Sequence, residues 1–241
     1  MGARLLLLAL CASPGLAQAP PPPSAGELAA KHVEALGGLD NLKAVQTMRM
    51  TGTAVLGGKM ESPFTLLMKR PNSSRLELQY EGQTVVQGFD GSTGWMLLPM
   101  RGTGPEPASP EETAEMKESS DFDGPLVDYK AKGNRVESEG LRDVMSKRAW
   151  KLKVTRDTGQ VESIYLDAST YLPLKVTIRR TPDGKEVEIE RYPSDYRKTG
   201  GILLPYRIEQ KSEGRSVMVM KINRIDLNVP LNEVLFRMPA R

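Results

Sequence analysis

The chain has 241 residues, 5% of them aromatic and 26% charged, with a formal net charge of +3. That composition excludes a disordered or low-complexity chain and suits one large all-β domain or at most two small ones. Both signs of charge are interspersed, with no basic block, no nucleic-acid motif and no second apolar run long enough for a membrane span, so nucleic acid is not an expected partner.

The N-terminus opens with Arg4, the apolar run Leu5 to Ala12 and the small-residue exit Ser13-Pro-Gly-Leu-Ala17. This order reads as a secretory leader over 1–17, too short in its apolar part to cross a bilayer. Cleavage after Ala17 is preferred to cleavage after Ala19, because Pro20 would flank the latter cut. Cys11 is the only cysteine, and Leu10 before it is too large for a lipoprotein signal. The mature chain is therefore expected to lack a lipid anchor, any disulfide and any thiolate site. Export without disulfides fits a bacterial periplasm. Residues 18–23, with Pro20 to Pro23, form a stiff tether.

Ser24-Ala-Gly-Glu27 is a capping box, and Ala25, Leu28, Ala29, His32, Val33 and Leu36 share one helical face up to Gly37-Gly38. A turn over Asp40 to Ala44 follows. From Thr47 the period becomes two. Met48 and Met50 alternate with polar neighbours, as do Phe64, Leu66 and Met68; Leu76 and Leu78; Trp150, Leu152 and Val154; and Leu174, Val176 and Ile178. This pattern predicts half-buried antiparallel strands. Turn signals such as Gly57-Gly58, Glu81-Gly82, Pro182-Asp-Gly184 and Gly200-Gly201 imply about eleven strands, five before an insert and six after it. The insert, 109–132, follows a loop over Gly102 to Ala108. It starts a helix at Ser109-Pro110-Glu111-Glu112 and a second short one from Asp123-Gly124-Pro125 to Lys130. Residues 24–241 then form a single, mainly β domain with few helices.

A long sheet with one apolar face must cover that face. A second sheet would make a sandwich. A curled sheet plugged by three short helices would leave an apolar cavity.

Three motifs occur in order: Lys69-Arg70-Pro71, Asp90-Gly91 with Trp95, and Phe236 with Pro239. The series resembles the outer-membrane lipoprotein carrier (LolA-like) family. The stretches Asp121 to Lys130 and Ser194 to Gly201 resemble lipoprotein-sorting proteins. The resemblance covers nearly all of the mature chain, although this chain is longer and its insert richer in proline. It implies an incomplete, half-open antiparallel β-barrel of about eleven strands with a helical lid in its concavity. Acyl chains would be held inside. It also implies that Arg70 latches the lid by bonding to lid backbone; from its own position, Arg70 reads equally as a solvated strand-end charge.

The expected cavity wall comprises Met50, Phe64, Leu66, Met68, Leu76, Leu78, Trp95, Trp150, Leu152, Val154, Leu174, Val176 and Ile178, with Leu78 facing in and Glu77 facing out. For Trp95, Trp150 and the methionines Met48, Met50, Met68 and Met96, core packing is the alternative reading. His32, the lone histidine, reads as buried and satisfied, since nothing pairs with it for a metal or a catalytic dyad. Asp121, Asp123 and Asp128 read as caps and solvated faces; they form no calcium loop. No metal, cofactor or catalytic residue is expected.

The resulting expectation is a monomeric, non-enzymatic periplasmic carrier of lipoprotein acyl chains or a related lipid. It would pass them from an inner-membrane donor complex to an outer-membrane acceptor. The alternatives are a sensor module on the same fold, reporting lipid or mislocalised lipoprotein to a membrane partner, and a structural envelope subunit with a filled core.

Overall fold

The computed structural model describes residues 21–100, 102, 104–180 and 186–240. The leader, the first part of the tether and the Pro182-Asp-Gly184 turn signal lie outside them. The first helix, α1 (Ala25–Ala35), has both halves of the expected capping box: Glu27 N–H donates to Ser24 Oγ, and Ser24 N–H to the Glu27 carboxylate at 2.7 Å. A short helix, α2 (Leu39–Ala44), leads into the sheet.

Among the described residues thirteen strands follow: β1 (Thr47–Leu56), β2 (Met60–Lys69), β3 (Ser73–Tyr80), β4 (Gln83–Phe89), β5 (Gly94–Leu97) and β6 (Glu106–Pro107) before helix α3 (Pro110–Ser119), then β7 (Arg135–Val144), β8 (Lys147–Thr155), β9 (Val161–Asp167), β10 (Pro173–Arg180), β11 (Val187–Thr199), β12 (Ile202–Ser212) and β13 (Arg215–Leu227). They form one sheet in the order β6-β5-β4-β3-β2-β1-β13-β12-β11-β10-β9-β8-β7. Each strand pairs antiparallel with its sequence neighbour, and the first and last strands pair with each other in the middle. The free edges, β6 and β7, are not joined, so the barrel stays open there. The segment 108–134 links those two edges, which places the insert across the opening.

The described residues hold thirteen strands where about eleven were expected. β6 is two residues inside a loop rich in glycine and proline, and β7 places charges such as Arg135, Glu137, Arg142 and Asp143 along its length. Neither shows an apolar alternation. The second insert helix is corrected as well: residues 122–133 run mainly as turns. Gly124 (φ 72°) and Asp128 (φ 51°) take left-handed conformations that interrupt a right-handed helix. Lys132 N–H to Asp128 O and Asn134 N–H to Tyr129 O stabilise the turns instead.

Register brings the apolar sets together. Met50 lies opposite Leu66, Leu66 opposite Leu76, and Phe64 opposite Leu78. All face the side on which the helices and insert pack, called here the inner face. At Gly52 the β1–β13 register shifts, and a Cβ there would run into the Lys221 carbonyl and the Phe64 ring. A glycine permits this close backbone approach and the bend that accompanies it.

The insert packs along the inner face. Met116 of α3 joins Phe89 and Met96, Phe122 touches the group around Met50 and Phe64, and Leu126 joins Leu28, Leu152 and Leu166. Gly94 lies under α3, where a Cβ would meet Met116 Sδ at 2.8 Å and Thr113 Oγ1 at 2.9 Å.

Candidate functional site

Ten of the thirteen expected wall residues fall into two groups on the inner face. Met50, Phe64, Leu66, Met68, Leu76 and Leu78 form the first, with Met48, Ala54, Ile222 and Ile225. Met48, Met50 and Phe64 are buried, whereas Leu66, Met68, Leu76 and Leu78 are half-buried. Across the β1–β13 pairing, Leu204, Tyr206, Ile208 and Met220 extend this surface and are also half-buried. Their alternation in Leu204-Pro-Tyr206-Arg-Ile208 was a readable strand signal. The second group comprises Trp150, Leu152, Val154 and Val176, closed over by Leu28 and Leu126; Leu152 and Val154 are fully buried. Ile178 is buried opposite Glu162, while Leu174 lies half-buried at the β9–β10 irregularity.

Trp95 is a correction. It pairs with Gly88, which pairs with Arg75, and these residues point away from the inner face. The indole lies over Gly88, where any Cβ would overlap it, and its Nε1–H donates to Phe236 O at 2.7 Å. Arg75 donates to Leu235 O at 3.0 Å, and Lys69 pairs with Glu233 at 3.1 Å. Trp95 is thus a closed core residue under the C-terminal segment, 1% exposed, and not a cavity wall. Its place on the outer face follows from period two: Met96, its neighbour, is the one that faces in. Met96 packs with Phe89 and Met116 under α3.

Arg70 occupies the end of β2, where the insert meets α2. Its Nε donates to Val45 O at 2.6 Å and one Nη to Leu42 O at 2.8 Å, carbonyls at the C-terminal end of α2. The same guanidinium forms a fork on Asp123, at 2.7 and 2.5 Å. It also lies 4.6 Å from the centroid of the Phe122 ring. Asp123 is not a solvated carboxylate as expected: its side chain is 5% exposed. Lys43 reaches it at 2.7 Å and reaches Asp128 at 2.8 Å. Burial alone would raise the Asp123 pKa; hydrogen bonds from Arg70 and Lys43 outweigh it and hold the carboxyl below its ordinary value. Asp121 likewise joins Lys132 and Arg156. The insert is therefore clamped to β2 and α2 through one planar cation that serves two carbonyls and one carboxylate, a task lysine cannot reproduce.

Farther along the inner face, apolar packing gives way to charge. Arg156 bonds Glu162 at 2.7 Å, and Arg180 pairs with Glu118 of α3 at 2.8 Å. These side chains are mostly buried and tie the insert to β9 and β10. None was singled out from the sequence, where isolated arginines and glutamates in strands look like outer-face residues.

His32 is buried as expected; its Nδ1 lies 3.0 Å from Tyr171 O, and burial holds its pKa below the ordinary value.

A cavity of about 480 Å³ lies on the outer face among Lys151, Lys153, Tyr165, Lys175, Arg179 and Glu188. It does not suit an apolar ligand. Its lysines are paired, Lys151 with Glu139 at 2.7 Å, Lys153 with Glu137 at 3.7 Å and Lys175 with Glu190. The half-buried apolar surface of the inner face is the stronger candidate.

No family model matches the chain, and no curated protein matches it. Solved structures do. A DUF1329 family protein from Desulfovibrio piger superposes with a TM-score of 0.61 at 13% identity, covering 88% of this chain and 97% of that one. A LolA superfamily protein from Nitrosomonas europaea gives 0.58 at 13% identity, covering 89% and 97%. A putative outer membrane lipoprotein-sorting protein domain from Vibrio parahaemolyticus gives 0.58 at 12% identity, covering 88% and 98%. At such identities the likeness concerns fold, and on fold the chain is LolA-like: an open antiparallel half-barrel whose mouth is crossed by a helical insert.

Proposed function

We propose that this protein is a periplasmic carrier that holds the acyl chains of a lipoprotein or related lipid against its inner sheet face and releases them without covalent chemistry. The observation that carries the reading is the half-buried apolar surface around Leu66, Leu76, Leu78, Ile208 and Met220, beside an insert whose clamp at Arg70 is formed by polar bonds that can open. Each methylene moved from water to this face contributes about 0.8 kcal/mol. Undocking the insert costs free energy, so affinity is the intrinsic affinity reduced by the fraction of molecules that are open. An acceptor that favours the closed carrier would promote release. The leader motif and the LolA-like fold support a place between the two membranes, with an inner-membrane donor and an outer-membrane acceptor.

The test is mass spectrometry of protein purified from the envelope under native conditions. A co-purified acyl lipid or lipoprotein supports the proposal. Bare protein that also fails to bind a fluorescent fatty acid contradicts it.

A further inference from the structure

Among the described residues, three arginines gather on the inner face near the C-terminal end of α3. Arg156 is neutralised by Glu162 and Asp121, and Arg180 by Glu118 and Glu115. Arg191 of β11 has neither a carboxylate within 4 Å nor a side-chain hydrogen bond among the described residues. Its backbone lies opposite Val176 on one side and Gln210 on the other, so it shares the inner face with the apolar groups. Two residues on, Pro193 is opposite Ile208, and Ile208 is opposite Met220. Adjacent strands lie about 4.8 Å apart. The backbone of Arg191 is therefore one strand across and two residues along from Ile208, at the border of the half-buried apolar surface.

Burial around the guanidinium pushes its pKa below the ordinary arginine value, with Arg180 and Arg156 adding to the depression and Glu162 and Glu115 acting in the opposite direction. Arginine stays protonated even so. Arg191 is half-buried and has no ion-pair partner within 4 Å, and an anion that completes its hydrogen bonds would stabilise it there. Arg191, Arg180, Arg156, Glu162, Glu118 and Ile178 line a cavity of about 20 Å³, room for roughly one water. A larger group would enter there only when the Glu118 end of α3 lifts, a motion of the same insert that crosses the inner face.

We infer that Arg191 is a headgroup subsite, and that the preferred ligand is an acyl amphiphile with a carboxylate or phosphate next to its chain. This rests on the proposed acyl-binding role and narrows it to anionic ligands. Palmitate, oleoyl lysophosphatidate and their neutral counterparts, methyl palmitate and monooleoylglycerol, are each used to displace a neutral fluorescent acyl probe. In the wild type at least one anionic member is expected to bind ten-fold or more tighter than its counterpart. The pair that shows the preference tells carboxylate from phosphate. In Arg191→Gln the preference shrinks to within two-fold, with the neutral ligands unchanged, and Arg191→Lys keeps part of it. Equal binding within both pairs in the wild type, or a preference that survives in Arg191→Gln, overturns the subsite and leaves acyl binding standing. Failure of every ligand, probe included, overturns both. The wild-type comparison needs no variant, so a misfolded substitution would not spare the inference.

Discussion

Replacing Arg70 with leucine removes, in one step, two bonds to the end of α2, a forked ion pair and the stacking on Phe122. The leucine keeps some apolar contact with β2 but supplies no donor. Asp123, 5% exposed, is left with Lys43 alone, whose own side chain is 42% exposed. Breaking a buried pair from one side costs about 3–5 kcal/mol, mostly because the remaining charge stays buried. That loss falls on the docking of the insert, because the sheet ladders do not pass through Arg70. The open fraction then rises, and a shift of about 3 kcal/mol corresponds to roughly two orders of magnitude in apparent affinity for a ligand that binds only the open form. A fluorescent fatty acid titrated into wild type and Arg70→Leu, with urea denaturation of both, measures the two effects. Tighter binding together with a lower urea midpoint is expected. Asp123→Asn, which keeps the two carbonyl bonds, is expected to fall between them. Unchanged affinity and unchanged midpoint in Arg70→Leu would refute the clamp.

Acid should act on the same point: Asp123 has a folded-state pKa below its unfolded value of 3.8. Its contribution is therefore complete above that value and is lost as pH falls through the lower folded one, seen as insert undocking in acid that Asp123→Asn does not show. His32 gives a milder window. Burial lowers its folded pKa below 6.5, so the unfolded chain takes the proton first and stability declines as pH drops from about 7 through 6.5 towards the folded pKa; urea midpoints across pH 5 to 7.5 test this, and His32→Gln should flatten the curve. Leu78→Asp should cost at least about 2 kcal/mol more than Glu77→Ala, since it buries an unpaired charge in the apolar group, whereas Glu77 pairs with Arg75 and is 37% exposed; equal thermal shifts would show the register to be wrong. Gly88→Ala should destabilise by about 1–3 kcal/mol through overlap with the Trp95 indole and shift its fluorescence, whereas alanine at the open Gly82 turn should leave that fluorescence unchanged.

Much of this architecture was legible where one local rule acts alone. The capping box at Ser24, the N-cap serine and N1 proline at Ser109-Pro110, and the alternation through Phe64 to Met68 and Trp150 to Val154 each report a period or a terminus that few other conformations satisfy. The sequence failed where the decision is tertiary. Trp95 looked like a lining residue because aromatic residues favour interiors; only the register with Gly88 reveals which interior holds it. Asp123 lies in a turn-rich stretch that suits solvated carboxylates, and nothing local shows that a strand end 53 residues away presents an arginine fork to it. β6 and β7 lack apolar alternation because edge strands can be short and charged without losing a core face. The arginines of the inner face are hidden by the same rule that makes alternation useful, since a charge at an inward position reads as a break in the pattern.

The most direct measurement is a methyl-resolved NMR titration of the protein with a fatty acid. The account predicts that Leu66, Leu76, Leu78 and Ile208 shift together and saturably, while Leu67 on the outer face and Val161 at its turn stay fixed. Shifts confined to Leu67, Val161 or the lysine-lined outer cavity, or none at lipid concentrations that saturate the fluorescent probe, would contradict it.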